Sequence, residues 1–105
     1  MKLKEALLAD QYIPTRLKFI SDPGHGWLRV PHEVIKNTGL STASFSRYSY
    51  IDHSYMYLEE DMDAGVFMET YKNLNGAEPE IEWVDVRFTD IRQKRRNLGG
   101  KNDFA

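Results

Sequence analysis

Hydrophobic and polar residues alternate along this chain in short blocks that switch between a helical period and a period of two. Leu17-Lys18-Phe19-Ile20 and Gly26-Trp27-Leu28-Arg29-Val30 read as strands flanking Asp22-Pro23-Gly24-His25. Proline at the second turn position presets φ, and glycine at the third supplies φ > 0, so the turn is expected to be type II. A longer connection from Ser21 to Gly26 would suit the strand twist better. Pro31 to Asn37 is predicted as a short helix with Val34 and Ile35 inward, stopped by Gly39. Leu40 to Ser46 is rich in Ser and Thr and reads as a loop.

Arg47 to Ile51 and Tyr55 to Glu59 form a second pair of strand candidates joined by Asp52-His53-Ser54. In these, Tyr48 and Tyr50, then Tyr55 and Tyr57, recur at every second position, which predicts a tyrosine surface on one face. Asp61 or Asp63 is expected to cap the next helix. Its buried stripe is predicted as Ala64, Phe67, Tyr71 and Leu74, and Asn75-Gly76 should end it. Glu80 to Phe88 alternates cleanly as a long strand, with Val84, Val86 and Phe88 expected on the core side. Ile91 to Leu98 reads as a short basic helix or an extended arm. At the start, Leu3 to Ala9 carries a helical face that Pro14 terminates.

The predicted order is α-β-β-α-β-β-α-β. It implies an α+β fold, a mostly antiparallel sheet of about five strands with two or three short helices packed on one face. An edge of that sheet would suit dimerisation or strand addition by a partner, so monomer and homodimer are both open. With 105 residues, 41% hydrophobic and 12% aromatic, the expectation is one domain over 1–98 and a flexible tail over 99–105.

Charge changes this picture. The net charge of −2 hides a segregation: residues 54–85 hold nine acidic residues and one lysine (−8), and 86–105 hold six basic and two acidic residues (+4). The acids Glu59, Glu60, Asp61 and Asp63 sit at a strand-to-helix junction, where negative charge suits the helix dipole. Arg87, Arg92, Lys94, Arg95 and Arg96 form the opposite pole. Segregated charge creates local fields that steer partners.

Candidate chemistry is sparse. The absence of cysteine excludes disulfides, thiolate metal sites and thiol nucleophiles in this chain. His25, His32 and His53 match no metal-binding spacing, so no metal or cofactor is expected; the alternative is that folding gathers them with Asp22 or Asp52. The carboxylate run is better explained as a helix cap than as a catalytic pair. No nucleophile elbow, phosphate loop or dinucleotide fingerprint is present. No apolar run approaches the ~20 residues of a membrane helix, and the first ten residues lack a signal-peptide core, so a cytoplasmic protein without membrane association is expected.

His25-Gly26-Trp27-Leu28-Arg29-Val30-Pro31, Tyr48-Ser49-Tyr50 and Tyr57-Leu58-Glu59-Glu60-Asp61-Met62-Asp63-Ala64, taken together, resemble a family of small uncharacterised proteins carried by bacteriophages and bacterial plasmids. The resemblance covers roughly residues 19–90. It implies a mobile-element origin and brings no established catalytic residues. By analogy with small phage proteins, it implies binding to a host protein, defence components included. The leading expectation is therefore a non-enzymatic protein-binding accessory protein whose contact is Glu59, Glu60, Asp61 and Asp63 or the face of Tyr48, Tyr50, Tyr55 and Tyr57. The alternative is nucleic-acid binding through Arg87, Arg92, Lys94, Arg95 and Arg96, against which stands a pI near 5.9.

Overall fold

The computed structural model describes residues 15–98. The helix expected over Leu3–Ala9 and the tail expected over 99–105 lie outside the described residues.

Strands β1 (Arg16–Ser21), β2 (Gly26–Pro31), β3 (Tyr50–Ile51), β4 (Tyr55–Glu59), β5 (Glu80–Asp85) and β6 (Arg95–Arg96) form one sheet in the order β5-β1-β2-β4-β3-β6. Helices α1 (His32–Asn37) and α2 (Asp63–Asn75) complete an α+β fold. Every pairing is antiparallel except β1 with β5. β5 runs in the same direction as β4, with β1 and β2 lying between them, so the chain must cross the sheet, and α2 is that crossing.

The first hairpin forms as expected, with Ser21 opposite Gly26. Its four-residue loop is not a type II turn. Among the described residues only Gly39 and Gly76 have positive φ, so Gly24 does not supply it. Asp22 organises the loop instead: its Oδ1 accepts from the Gly24 and His25 N–H groups at 2.9 and 3.0 Å. The side chain thus does the work expected of the glycine. Gly39 (φ +83°) and Gly76 (φ +81°) follow α1 and α2 as left-handed stops, where their N–H groups bond back into the last turn.

Both helices pack on one face of the sheet. Leu17, Leu28, Val30, Met56 and Leu58 from the strands meet Ile35, Phe45, Ala64, Phe67 and Tyr71 there. The stripe on α2 ends at Tyr71, since Leu74 is 60% exposed. The other face carries a smaller cluster, Trp27, Tyr50, Tyr57 and Ile91.

Three strand expectations need correction. β3 begins at Tyr50 rather than Arg47, because Ser46 and Ser49 are drawn onto the Asp63 carboxylate and the chain between them turns. β5 stops at Asp85, and its core contact is Ile81, not the Val84-Val86-Phe88 side. The register sets Ile81 beside buried Leu17 on the helix-covered face, and Phe88 is 74% exposed. The basic segment supplies a sixth strand: β6 pairs with β3 through Tyr50–Arg96 and Ile51–Arg95.

Candidate functional site

The turn from β4 into α2 concentrates the acids, and the structure divides them into two roles. Glu59 caps the helix: Oε1 accepts from the Met62 and Asp63 N–H groups at 2.7 and 2.8 Å, and Oε2 accepts from Asp61 N–H at 2.7 Å. These are the orphan donors of a helix start, satisfied here by a residue from the preceding strand. The cap is therefore neither Asp61 nor Asp63. Asp63 is 2% exposed, and its Oδ2 accepts from Ser46 N–H, Ser46 Oγ–H and Ser49 Oγ–H at 2.8, 2.7 and 2.6 Å. Glu60 and Asp61 remain on the surface. Glu60 Oε1 accepts from Gly26 N–H at 3.2 Å and lies 4.0 Å from His25 Nδ1.

The tyrosines also divide. Tyr50 and Tyr57 sit opposite each other on β3 and β4 and are buried, with Trp27 edge-on to Tyr50 at 6.4 Å. Tyr55 is half-buried beneath the Arg29 guanidinium, which lies 4.3 Å from the ring centre. Tyr48, outside the strand, is 73% exposed. The four rings are therefore not one free surface.

What covers two of them is the basic segment. Ile91 is buried against Trp27, Tyr50 and Tyr57. Beyond it, Arg92, Lys94 and Arg96 place their cations 4.9, 5.1 and 4.8 Å from the ring centres of Trp27, Tyr57 and Tyr50. Each is also held by an oxygen: Arg92 by both carboxylate oxygens of Asp22 at 2.5 and 3.0 Å, Lys94 by Asp52 at 3.1 Å, and Arg96 by the Arg47 carbonyl at 3.0 Å. Asn97, fully buried, ends the strap by donating from Nδ2 towards the carbonyls of Thr42, Phe45 and Ser46 at 3.0 to 3.1 Å. The cations recur at every second residue of the segment, while the rings they cover come one each from β2, β4 and β3. Arg87 and Arg95 stay exposed at the surface.

These contacts shift ionisation. The Arg92 fork and the His25 and Gly24 N–H groups hold the Asp22 carboxyl well below the usual carboxylate range, and Asp22 in turn pushes Arg92 up. Burial pushes Asp52 up, but bonds from the Tyr57 hydroxyl, the Tyr55 and Ser54 N–H groups and Lys94 outweigh it and hold the group at about 2. Burial, then the bond to Asp52, drives the Tyr57 hydroxyl upward.

Strap and acidic turn meet around one groove of about 580 Å³. Its apolar lining comes from Trp27, Tyr48, Tyr50 and Met62, its acids are Glu59, Glu60 and Asp61, and its bases are Arg92 and Arg96. Met62, like Tyr48, is largely exposed there, at 66%. A concave surface with apolar lining and a few convergent charges is suited to holding a side chain or short segment.

The histidines do not converge. His32 Nε2 lies 2.8 Å from the Asp52 carbonyl, while His25 sits beside Glu60. No group of three or more side chains able to hold a metal is found among the described residues, and no described helix is long and apolar enough to cross a membrane. Comparison with protein-family models, with curated proteins and with solved structures finds no match to this chain.

Proposed function

We propose that this chain is a non-enzymatic, protein-binding accessory protein of a phage or other mobile element, acting in the cytoplasm of a bacterial host. It seats a segment of a host protein, a defence component among the candidates, in the groove between the acidic turn and the strap. The observation that carries this reading is the juxtaposition of Glu60 and Asp61 with exposed Tyr48 and Met62 at one concave place. Charge complementarity there selects a lysine or arginine next to an apolar side chain. The roles of the neighbouring acids support binding over catalysis: Glu59 and Asp63 spend their oxygens on backbone and serine donors.

Nucleic-acid binding through the C-terminal cations has weaker support. Arg92, Lys94 and Arg96 already lie on the protein's own rings, each bound to an oxygen.

The test is affinity capture from host lysate with wild-type protein and with the Glu60→Lys/Asp61→Lys variant. A partner held by wild type and lost on charge reversal is expected. Equal retention by both, or no partner for wild type, would end the reading.

A further inference from the structure

We infer that the sheet face opposite the helices carries a second binding site, for a nucleotide phosphate with its base. Lys18 on β1 and Arg29 on β2 are direct cross-strand partners, so two like-charged side chains leave neighbouring positions of this face, Arg29 with its guanidinium over the Tyr55 ring. That arrangement is unfavourable unless something negative lies between or beside them. Neither forms an ion pair with any described residue: Glu82, the β5 partner of Lys18, is not within ion-pair distance, and the nearby Glu80 is taken by Arg16 at 3.0 Å.

Both cations line a recess of about 290 Å³ that Lys94 also borders, with Asp90 as its one acid. The rest of the lining is largely apolar, from Ile20, Val84, Val86 and Phe88. Its size is roughly ten times the ~30 Å³ share of one water, more than a bare anion fills. Phe88, 74% exposed at this recess, presents a flat ring on which a base can stack. Neighbouring cations for a phosphate beside an apolar wall for a base define one nucleotide unit. It is supplied either free or within a single strand. This site is separate from the groove and does not depend on the reading given for it.

The experiment is fluorescence anisotropy of a labelled ten-residue oligothymidylate with the whole chain at low ionic strength, with unlabelled AMP and inorganic phosphate as competitors. Binding is expected, and Lys18→Gln/Arg29→Gln should weaken it about tenfold or more and flatten the log–log salt slope by about two. Phe88→Ala should weaken it several-fold, while Tyr48→Ala in the groove should leave it unchanged. Competition by AMP identifies a free nucleotide as the source; binding of the oligomer alone identifies a single strand. If the double variant does not fold by circular dichroism, Lys18→Gln alone should flatten the slope by about one. No binding of either probe overturns the site, and so does binding that survives loss of Lys18 and Arg29. Inorganic phosphate competing as well as AMP, with Phe88→Ala silent, overturns the nucleotide assignment.

Discussion

The two faces of this sheet are covered by different chemistry. One is closed by helices, and the contact is apolar on both sides: Val30, Met56, Leu58 and Phe67 are all fully buried. The other is closed in part by a strap with hardly any apolar residue beyond Ile91, which instead lays Arg92, Lys94 and Arg96 over Trp27, Tyr57 and Tyr50. Helix-side burial is non-directional and tolerates sliding within the limits of packing. Strap-side contacts are directional, each cation being fixed by a ring below and an oxygen beside it. The first face provides stability. The second sets positions, because it fixes one wall of the groove that also holds the acidic turn.

The sharpest way to test the contrast is to damage each cover at its centre. Phe67→Ala removes a fully buried ring from the helix side and should cost about 3–5 kcal/mol of unfolding free energy, measured by urea denaturation. Asn97→Ala unlocks the end of the strap and strips a buried amide from three carbonyls, with an expected cost of about 2–3 kcal/mol. The two should differ in kind. Amide exchange in Phe67→Ala should rise throughout the sheet, while in Asn97→Ala it should rise first in β6 and β3. A uniform rise in both would show that the strap belongs to the same cooperative unit as the helices.

The helix-covered face was largely legible in the sequence, and the strap-covered face largely was not. Leu28 and Val30, and Met56 and Leu58, repeat at the strand period and predict the hairpin and β4, while Phe67 and Tyr71 repeat at the helix period and predict α2 with its inward side. Gly39 and Gly76 mark helix ends by a purely local requirement for positive φ. The failures occur where a distant partner decides. Asp63 reads as a cap by its position, but Ser46 and Ser49 claim its carboxylate, and that same claim shortens β3. Leu17 settles which side of β5 faces the core through a parallel pairing more than sixty residues long in sequence. The strap has a period of two in charge rather than in hydrophobicity, so an apolar pattern search passes over it. The groove was half visible. Its acids and its arginines each stand out, yet some thirty residues separate them, and it takes the β3–β6 pairing, the Arg92–Asp22 contact and the Asn97 anchor to bring them together.

Acid should find the strap before it finds the helix side. The Asp52 carboxyl is held at about 2 in the fold, below its ordinary value near 4. A depressed carboxylate stabilises the protein fully above its unfolded value and loses that contribution as pH falls through its folded one. Stability linked to Asp52 is thus present above about pH 4 and disappears between about pH 4 and 2, by up to about 2 kcal/mol. Asp22, lowered by Arg92, adds to the same trend. Urea midpoints measured from pH 5 to 2 should fall for wild type and fall less for Asp52→Asn, with a residual slope from Asp22. Identical slopes would mean that Tyr57 and Lys94 do not bias the Asp52 proton.

The smallest expected effect decides whether the cations themselves, or only their carbon stems, cover the rings. Lys94→Met and Arg96→Met keep an unbranched side chain over Tyr57 and Tyr50 and remove the charge. A partly exposed cation over an aromatic face is worth about 0.5–1 kcal/mol, and a methionine sulfur returns some of that. Arg96→Met should therefore cost only a few tenths of a kcal/mol beyond its bond to the Arg47 carbonyl. Lys94→Met should cost more, since Asp52 then loses its cation in a place where both side chains are mostly buried. The discriminating measurement is a double-mutant cycle of Lys94→Met with Tyr57→Leu in an Asp52→Asn background, which removes the carboxylate that both side chains bond. A coupling energy near zero would mean that stems and not charges close this face, and the two covers would then work by the same apolar contact after all. A coupling of about half a kcal/mol or more would make the ring the partner of the charge. In that case the wall of the groove is placed by electrostatics, and a competing cation from a binding partner meets the same rings that the strap already uses.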